Sequence, residues 1–287
     1  MSYGSDEDRR AGRIAIAIVA VLVLVAGGWW LWSKRDAPVE AAPPVAADAD
    51  TGHVIATPLE EDPAAIQHPI ETPVEEPAAE DAPPPDPDVA AQQAFGEVFG
   101  PTIADWLVNE QLARRLVATL DNLPRNARIE PLRPLRPPTG PFIVERETID
   151  AAVGEERIVL SEDNFARYDA IVGLVAAVEP AQAAATYRRL YPQLQAAYED
   201  LGFPGRYFND RVVAVIDHLL ATPTPEGPLL LEQPKVLYRF QDTRLEELSP
   251  GQKLLLRIGP AHARVVKQKL GEFRALIAAD PAGDAAE

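Results

Sequence analysis

The sequence predicts a mainly α protein in three parts: one N-terminal transmembrane helix, a disordered acidic Pro/Ala-rich linker, and a compact α-rich domain with short minor strands. Three observations predict this organisation. An uncharged run of 19 residues spans Ile14–Trp32, residues 36–89 hold twelve prolines and fourteen acidic residues without a basic one, and apolar residues recur at helical spacing from residue 90. The predicted parts are a tail at 1–13, a span at 14–32, a linker at 33–89, a domain at 90–280 and a disordered tail at 281–287.

The predicted span has the length and the flanks of a membrane anchor. A helix over Ile14–Trp32 is about 28 Å long, close to the hydrocarbon thickness of a bilayer, and three tryptophans lie at its end. A cleaved signal peptide is the competing interpretation, but it needs small residues at the cleavage point, where Trp32 stands. Three basic residues precede the run and two follow it. We therefore expect a single-pass protein of the inner membrane that contacts the lipid bilayer here, with its C-terminal domain in the periplasm.

The composition limits the function classes. The linker is too polar and too proline-rich to bury a core, so disorder is expected. Of the net charge of −17, −14 lies in residues 36–89, and the domain is nearly balanced with 22 basic and 27 acidic residues from Ala90 onward. This balance argues against nucleic acid as a partner. The absence of cysteine excludes disulfides and thiol nucleophiles.

The elements of the domain follow from apolar spacing and from proline and glycine punctuation. A helix is expected over 102–121, an extended Arg-Pro strip over 131–138 and two short strands at 142–145 and 157–160. Ser161 is expected to cap a helix that runs to Val178. Pro180 opens the next helix, which Pro192 should kink or split. In order after it come a helix from about 208, a strand pair at 229–231 and 236–240, a helix from Ser249 to Gly259, and a last helix to about Ala279.

The stretch 202–223 is the strongest candidate for a site. Its helix has one wide apolar face, and the opposite face carries Asp210 and Asp217, with His218 at the edge. One interpretation is structural: Asn209 or Asp210 caps the helix and Arg206 pairs with Asp210. The other is a binding groove, whose candidate residues are Arg206, Tyr207, Asn209, Asp210, Asp217, His218, Lys235 and Arg239. In the strand 236–240, Val236, Tyr238 and Phe240 are expected to face the core, and Lys235 and Arg239 join the groove only if the fold brings the strand to it.

A second candidate is a basic patch around the Arg-Pro strip. Arg133 and Arg136 are three residues apart and project the same way in a polyproline helix, and Arg125 and Arg128 precede them. The patch could hold an anionic partner or the acidic linker. Alternatively, the strip wraps a helix while its arginines pair with surface carboxylates.

The domain contains few residues of the types and spacings found in known catalytic motifs. The domain has two serines, both at expected helix caps, two histidines, and no glycine-rich phosphate loop. No catalytic residue, metal site or cofactor is therefore predicted. Asp210 and Asp217, about 10 Å apart along a helix, are slightly too far apart for an acid/base pair but are the carboxylates considered for glycan cleavage. The question of enzymatic activity stays open, and the sequence favours a non-enzymatic role.

Several passages resemble the bacterial domain of unknown function 3014 family. They are DNLP (121–124), LRPLRP (132–137), NFARYD (164–169), YRRLYP (187–192), YEDLGFPGRYFNDR (198–211), VIDHLL (215–220), QPKVLYRF (233–240) and SPGQK (249–253). The resemblance covers roughly residues 100–280. It implies a bacterial membrane-anchored protein with an acidic Pro/Ala-rich linker, and it supplies no activity, cofactor or catalytic residue.

The expected function is an interaction or scaffold module of the cell envelope that binds another envelope protein through the surface around Arg206–Asp210. The alternative is a module that binds peptidoglycan or cleaves glycan with paired carboxylates. A closed cleft at this surface favours the alternative, and an open surface favours the scaffold.

Overall fold

A computed structural model describes residues 66–70, 86–125, 132–150 and 154–278. The predicted tail and span at 1–32, most of the predicted linker and the C-terminal tail lie outside these residues. The described part is a mainly helical domain with a small antiparallel sheet, which confirms the predicted class of the domain.

The helices and strands follow one another along the chain in a fixed order. They are α1 (Pro87–Phe99), a 3-10 turn (Pro101–Asp105), α2 (Leu112–Asn122), β1 (Val144–Asp150), β2 (Glu155–Leu160), α3 (Asp163–Ala166), α4 (Asp169–Ala176), α5 (Pro180–Asp200), α6 (Phe208–Leu220), β3 (Leu230–Glu232), β4 (Arg239–Phe240), α7 (Thr243–Glu246), α8 (Pro250–Arg257) and α9 (Pro260–Ile277).

The main core lies between the long helices. Helix α9 packs against α4, α5 and α6, and α2 packs against α5 and α6. The predicted apolar stripe of α5 is buried from Tyr187 to Tyr198, and the predicted apolar face of α6 is buried from Phe208 to Leu219. Helix α5 continues through Pro192 for 21 residues, so the predicted possibility of a split there is wrong. Burial of the stripe on both sides of the proline keeps the helix in one piece.

The sheet forms a second, smaller core. Its strand order is β1-β2-β3-β4 and all pairs are antiparallel. Leu160, Leu231, Phe240 and Leu256 make its buried cluster. The last strand is only two residues long, so the predicted alternation does not reach Val236, whose side chain is 56% exposed.

Two predicted helices are interrupted. The helix expected over 102–121 breaks because residues 106–108 pair with the Arg-Pro strip: the Val108 N–H donates to the Pro134 carbonyl at 2.7 Å, and Leu107 bridges Leu135. Gln111 then takes a left-handed conformation before α2 begins. The helix expected from Ser161 to Val178 divides into α3 and α4. Buried Asn164, which accepts from the Ile143 N–H and donates to the Arg257 carbonyl, ties α3 to these two neighbours.

Part of the predicted linker is ordered against the domain. Residues Ile66–Ile70, which we call the tether segment, contact the start of α6, and α1 begins at Pro87 with Asp86 as its cap. The prediction of disorder through residue 89 is therefore wrong for residues 66–70 and 86–89. Within the described ranges no single helix is long and apolar enough to cross a membrane; α4 and α5 meet that test only jointly, with an 89° bend between them.

Candidate peptide-binding site

The site is built where the loop after α5 turns into α6. Gly202 and Gly205 have φ angles of 99° and 74°, a left-handed conformation that favours glycine, and they reverse the chain. Helix α6 begins at Phe208, so Tyr207 occupies the cap position and makes no side-chain cap bond. The prediction that Asn209 or Asp210 caps this helix is therefore wrong.

The N-terminal end of α6 is capped by side chains of the neighbouring helix α5. The Gln195 side chain of α5 donates to the Arg206 carbonyl and accepts from the Phe208 N–H, both at 2.8 Å. The Tyr191 hydroxyl donates to the same amide oxygen at 3.0 Å and accepts from the Asn209 N–H at 3.3 Å. Because Gln195 and Tyr191 satisfy these main-chain groups, the side chains of the first turn are left for other partners.

Asn209 joins three separate parts of the chain. Its side chain is fully buried, and its oxygen accepts from the Tyr187 hydroxyl of α5 at 3.1 Å. Its amide nitrogen donates to the Ile277 carbonyl at the end of α9 and to the His68 carbonyl of the tether segment, each at 2.8 Å. One buried amide thus links α5, α9 and the tether segment.

The tether segment is held through its main chain. Asp210 accepts from the N–H groups of Gln67 and His68, at 3.0 and 2.7 Å, and the Tyr207 hydroxyl accepts from the Ile70 N–H at 2.7 Å. Together with the bond from Asn209 these make four hydrogen bonds, each to a main-chain atom of the segment. Such contacts recognise a chain path rather than a particular side chain.

The two hydrogen bonds to the Asp210 carboxylate require a bend in the chain of the tether segment. Successive N–H groups of an extended strand point to opposite sides, so they cannot reach one carboxylate. The chain bends at Gln67 and His68, and this bend turns both N–H groups towards Asp210. These contacts therefore require a particular main-chain conformation of the segment.

One side chain of the segment is anchored. Ile70 is half-buried and packs against the main core, whereas Ile66 is 58% exposed. The segment thus has an apolar anchor at its end and a free apolar residue at its start.

Aromatic residues form the wall behind these contacts. The Tyr191 ring lies 5.4 Å from that of Tyr207 and 5.8 Å from that of Tyr187, and Tyr187 meets Phe273 edge to face at 5.6 Å. Burial, and then the hydroxyl of Tyr207, raises the pKa of Tyr191 above its ordinary value, and burial raises the pKa of Tyr187. Both phenols therefore stay protonated and able to donate at neutral pH.

The remaining predicted groove residues on α6 have other partners. Asp217 forms a two-pronged ion pair with Arg274 of α9, with atom separations of 2.5 and 2.8 Å, and the His218 Nε2 lies 2.8 Å from the Ser249 hydroxyl. The predicted Arg206–Asp210 pair is wrong, because the Asp210 carboxylate binds the tether segment instead. Asp210 and Asp217 are thus engaged separately.

Lys235 and Arg239 belong to the sheet rather than to the start of α6. Both are exposed, and Arg239 pairs across the strands with Glu232 at 2.6 Å. In the described part of the chain no hydrogen bond or ion pair joins either residue to the site. Nor do any three His, Cys, Asp or Glu residues among those described cluster as metal ligands would.

The predicted basic patch does not form one surface among the described arginines. Arg125 pairs with Asp121 at 3.0 Å and lies over the Phe203 ring, Arg133 is only 8% exposed, and Arg136 donates to the Asp105 carbonyl at 2.7 Å. Arg128 lies outside the described residues. The strip instead covers the 3-10 turn and the loop after it, as the structural interpretation expects. Arg125 and Arg136, however, bind buried Asp121 and a main-chain carbonyl rather than surface carboxylates.

A separate cavity of about 1060 Å³ opens between the β1–β2 hairpin, the loop after α6 and α9. Glu145, Glu162, Leu229 and Lys267 are among its lining residues, and none of the predicted site residues lines it. The Lys267 ammonium donates to the Thr222 carbonyl, and burial lowers the pKa of Lys267. The cavity and the candidate site at the start of α6 are therefore distinct places on the domain.

Sequence reasoning misses the tether segment and the capping role of Gln195. The linker has two uncharged stretches that contain histidine and isoleucine, residues 51–59 and 63–70. This pattern marks both as candidates for docking and does not choose between them. Apolar spacing identifies Tyr187 and Tyr191 as core residues, but their hydroxyl groups give no periodic signal.

The family model described as "Protein of unknown function (DUF3014)" matches residues 112–274. The chain belongs to this family, as the resemblance implied. The match includes α6 and its neighbours and excludes the tether segment. No curated protein and no solved structure matches the chain.

Proposed function

We propose that this DUF3014 protein is a membrane-anchored interaction module of the bacterial cell envelope, and that it binds a short segment of another envelope protein at the start of α6. The observation that carries the proposal is the tether segment itself. A bent peptide already lies in this site with four main-chain hydrogen bonds and one anchored aliphatic side chain.

The contacts have the character of peptide recognition. Main-chain bonds supply affinity that is independent of sequence, and a pocket for one side chain supplies selectivity, as in other domains that bind short segments. Gln195 and Tyr191 hold the first turn of α6 from behind without any contribution from the tether segment, which favours a preformed site. A preformed site loses little conformational freedom when a segment binds.

The location in the envelope is supported by the sequence. The run Ile14–Trp32 has the length and the tryptophans of a single-pass anchor in the inner membrane, and residues 36–89 contain no lysine or arginine that would oppose export. A domain in the periplasm is in position to bind another envelope protein.

The peptidoglycan alternative has no observation in its favour. Asp210 is engaged by two amides and Asp217 by Arg274, so the two carboxylates do not face one bound sugar. The glycan function is therefore kept only as an outcome of the test.

The test is photo-crosslinking in living cells of a bacterium that encodes the protein. One probe replaces Ala214, which is exposed one turn after Asp210 on the same face of α6, and a control probe replaces exposed Val236 on the sheet. We expect a discrete protein adduct from position 214 and none from 236. Adducts to sacculus material alone would favour the glycan alternative, and equal adducts at both positions would reject the site.

A further inference from the structure

We infer that the partner's segment is of the same chemical class as the tether segment, and that the tether segment competes with it for the site. This inference rests on the proposed function. The ligand class is a short peptide without acidic residues. It has a bend at which two consecutive residues each carry a main-chain N–H group, and these are followed by proline and then by a β-branched aliphatic residue.

The contacts define each position of this class. The first position is unrestricted, since the Ile66 side chain is mostly exposed. The second and third cannot be proline, because their N–H groups bind Asp210. The third also presents its carbonyl to buried Asn209.

The last two positions carry the anchor. Pro69 fixes its own φ angle and so limits the paths by which the chain can leave the bend. Ile70 donates its N–H to Tyr207 and packs its side chain against the main core. A polar residue at this last position would leave an apolar contact unfilled or bury a group that water would otherwise hydrate.

Charge defines the class further. Residues 63–70 contain no charged residue, although acidic residues lie immediately before them, at 60–62, and after them at Glu71. A carboxylate at the second or third position, whose N–H groups bind Asp210, would lie close to that side chain, and two like charges at short range repel. An acidic partner segment is therefore disfavoured, and a neutral or basic one fits.

Competition follows from the covalent connection. Only 15 residues separate Ile70 from Asp86, which caps α1 of the domain. A segment joined through so short a connection acts at an effective concentration of about 1 mM. For an intrinsic dissociation constant of about 0.1 mM, this occupancy weakens the binding of an external peptide about tenfold.

The experiment measures this competition on the full-length chain purified in detergent. The probe is a fluorescent synthetic peptide with the sequence of residues 63–73, and its binding is followed by anisotropy. Ile70→Glu releases the anchor of the tether segment, and Ile66→Glu is the matched control, because it introduces the same charge at the exposed isoleucine. We expect the peptide to bind the Ile70→Glu chain about tenfold more tightly than the wild-type or Ile66→Glu chain.

Two further measurements separate the parts of the inference. A peptide with His68→Pro should bind the Ile70→Glu chain at least tenfold more weakly than the native peptide, because it lacks one N–H for Asp210. Ile70→Ala repeats the release without adding a charge, in case the glutamate disturbs the fold. Equal affinities for the two glutamate variants would overturn the competition, and equal affinities for the two peptides would overturn the ligand class. Neither result decides whether a protein adduct forms at position 214 in cells, so the proposed function fails or stands separately.

Discussion

The two ends of α6 carry the same residue types and have different partners. At the start, Asp210 binds two main-chain amides of the tether segment, about 140 residues earlier in the sequence. At the end, Asp217 binds the guanidinium of Arg274, a side chain of the domain itself. The helical wheel places both carboxylates on one face, but it does not indicate what lies opposite them.

The difference shows how one helix can serve binding at one end and folding at the other. The end of α6 is tied by side chains to α8 and α9, so its polar groups are used inside the domain. The start is tied from behind by Gln195 and Tyr191, which leaves Tyr207 and Asp210 directed at a segment outside the helical core. A site arises where neighbouring helices satisfy the main chain and leave the side chains available.

The largest effect on stability is expected from Asn209→Ala, because Asn209 bonds to both the core and the tether segment. Its loss leaves the Tyr187 hydroxyl and the Ile277 carbonyl without this partner in a buried place. We expect the free energy of unfolding to fall by about 2–3 kcal/mol in urea titrations. Asn122→Ala, which removes one bond within α2, is the control and should cost about 1 kcal/mol or less. Equal losses would mean that the Asn209 network is unimportant.

The next test removes the two carboxylates of α6 one at a time. Asp210→Ala should expose residues 66–70 to hydrogen exchange, with a local loss of roughly 2 kcal/mol, because the bonds to a charged acceptor are lost. Asp217→Ala should leave that protection unchanged and lower the unfolding free energy by about 0.5 kcal/mol, since its ion pair is largely solvated. Loss of protection at residues 66–70 in Asp217→Ala would contradict the separation of the two ends.

A smaller effect is expected from Tyr207→Phe, which removes the acceptor of the Ile70 N–H and keeps the ring beside Tyr191. Local opening of the tether segment should become easier by about 1 kcal/mol, measured by hydrogen exchange at Ile70. Tyr238→Phe on the sheet is the matched control and should not change exchange at this position. Unchanged exchange at Ile70 in Tyr207→Phe would show that the hydroxyl does not hold the segment.

The smallest effect concerns pH at the end of α6. Burial, and then the charge of Arg211, lowers the pKa of His218 below its ordinary value of 6.5. The unfolded chain therefore takes up the proton first as pH falls below 6.5, so this histidine contributes stability above that pH and loses it towards the lower folded pKa. His218→Gln should flatten the pH dependence of the unfolding free energy as pH falls below 6.5. If the unfolding free energy of the wild type and of the variant changed with pH at the same slope, the expected role of His218 would be contradicted.

Much of the helical architecture can be predicted from local signals. Pro180, Ser249 and Gly259 mark helix ends through backbone restrictions that act within a few residues, and the apolar stripes of α5 and α6 follow from burial on one side. Three of the predicted groove residues, Tyr207, Asn209 and Asp210, contact the tether segment, whereas their role in binding a partner stays a prediction.

The rest depends on contacts between distant residues. The capping of α6 by Gln195, the pairing of Leu107 with Leu135 and the docking of Ile66–Ile70 each involve partners that no local pattern joins. Lys235, Arg239 and the dispersed arginines are candidates by residue type alone. Residue type does not fix position in space, so these side chains do not gather at one site.

Docking of the tether segment divides the chain before the domain into two lengths. If Ile14–Trp32 is the anchor, as proposed, 33 residues lie between it and Ile66, and 53 residues lie between it and Asp86. At about 3.3 Å per residue the maximum distance from the bilayer is about 110 Å with the segment bound and about 175 Å after its release. A partner that displaces the segment would thereby extend the radius within which the same protein can act across the periplasm.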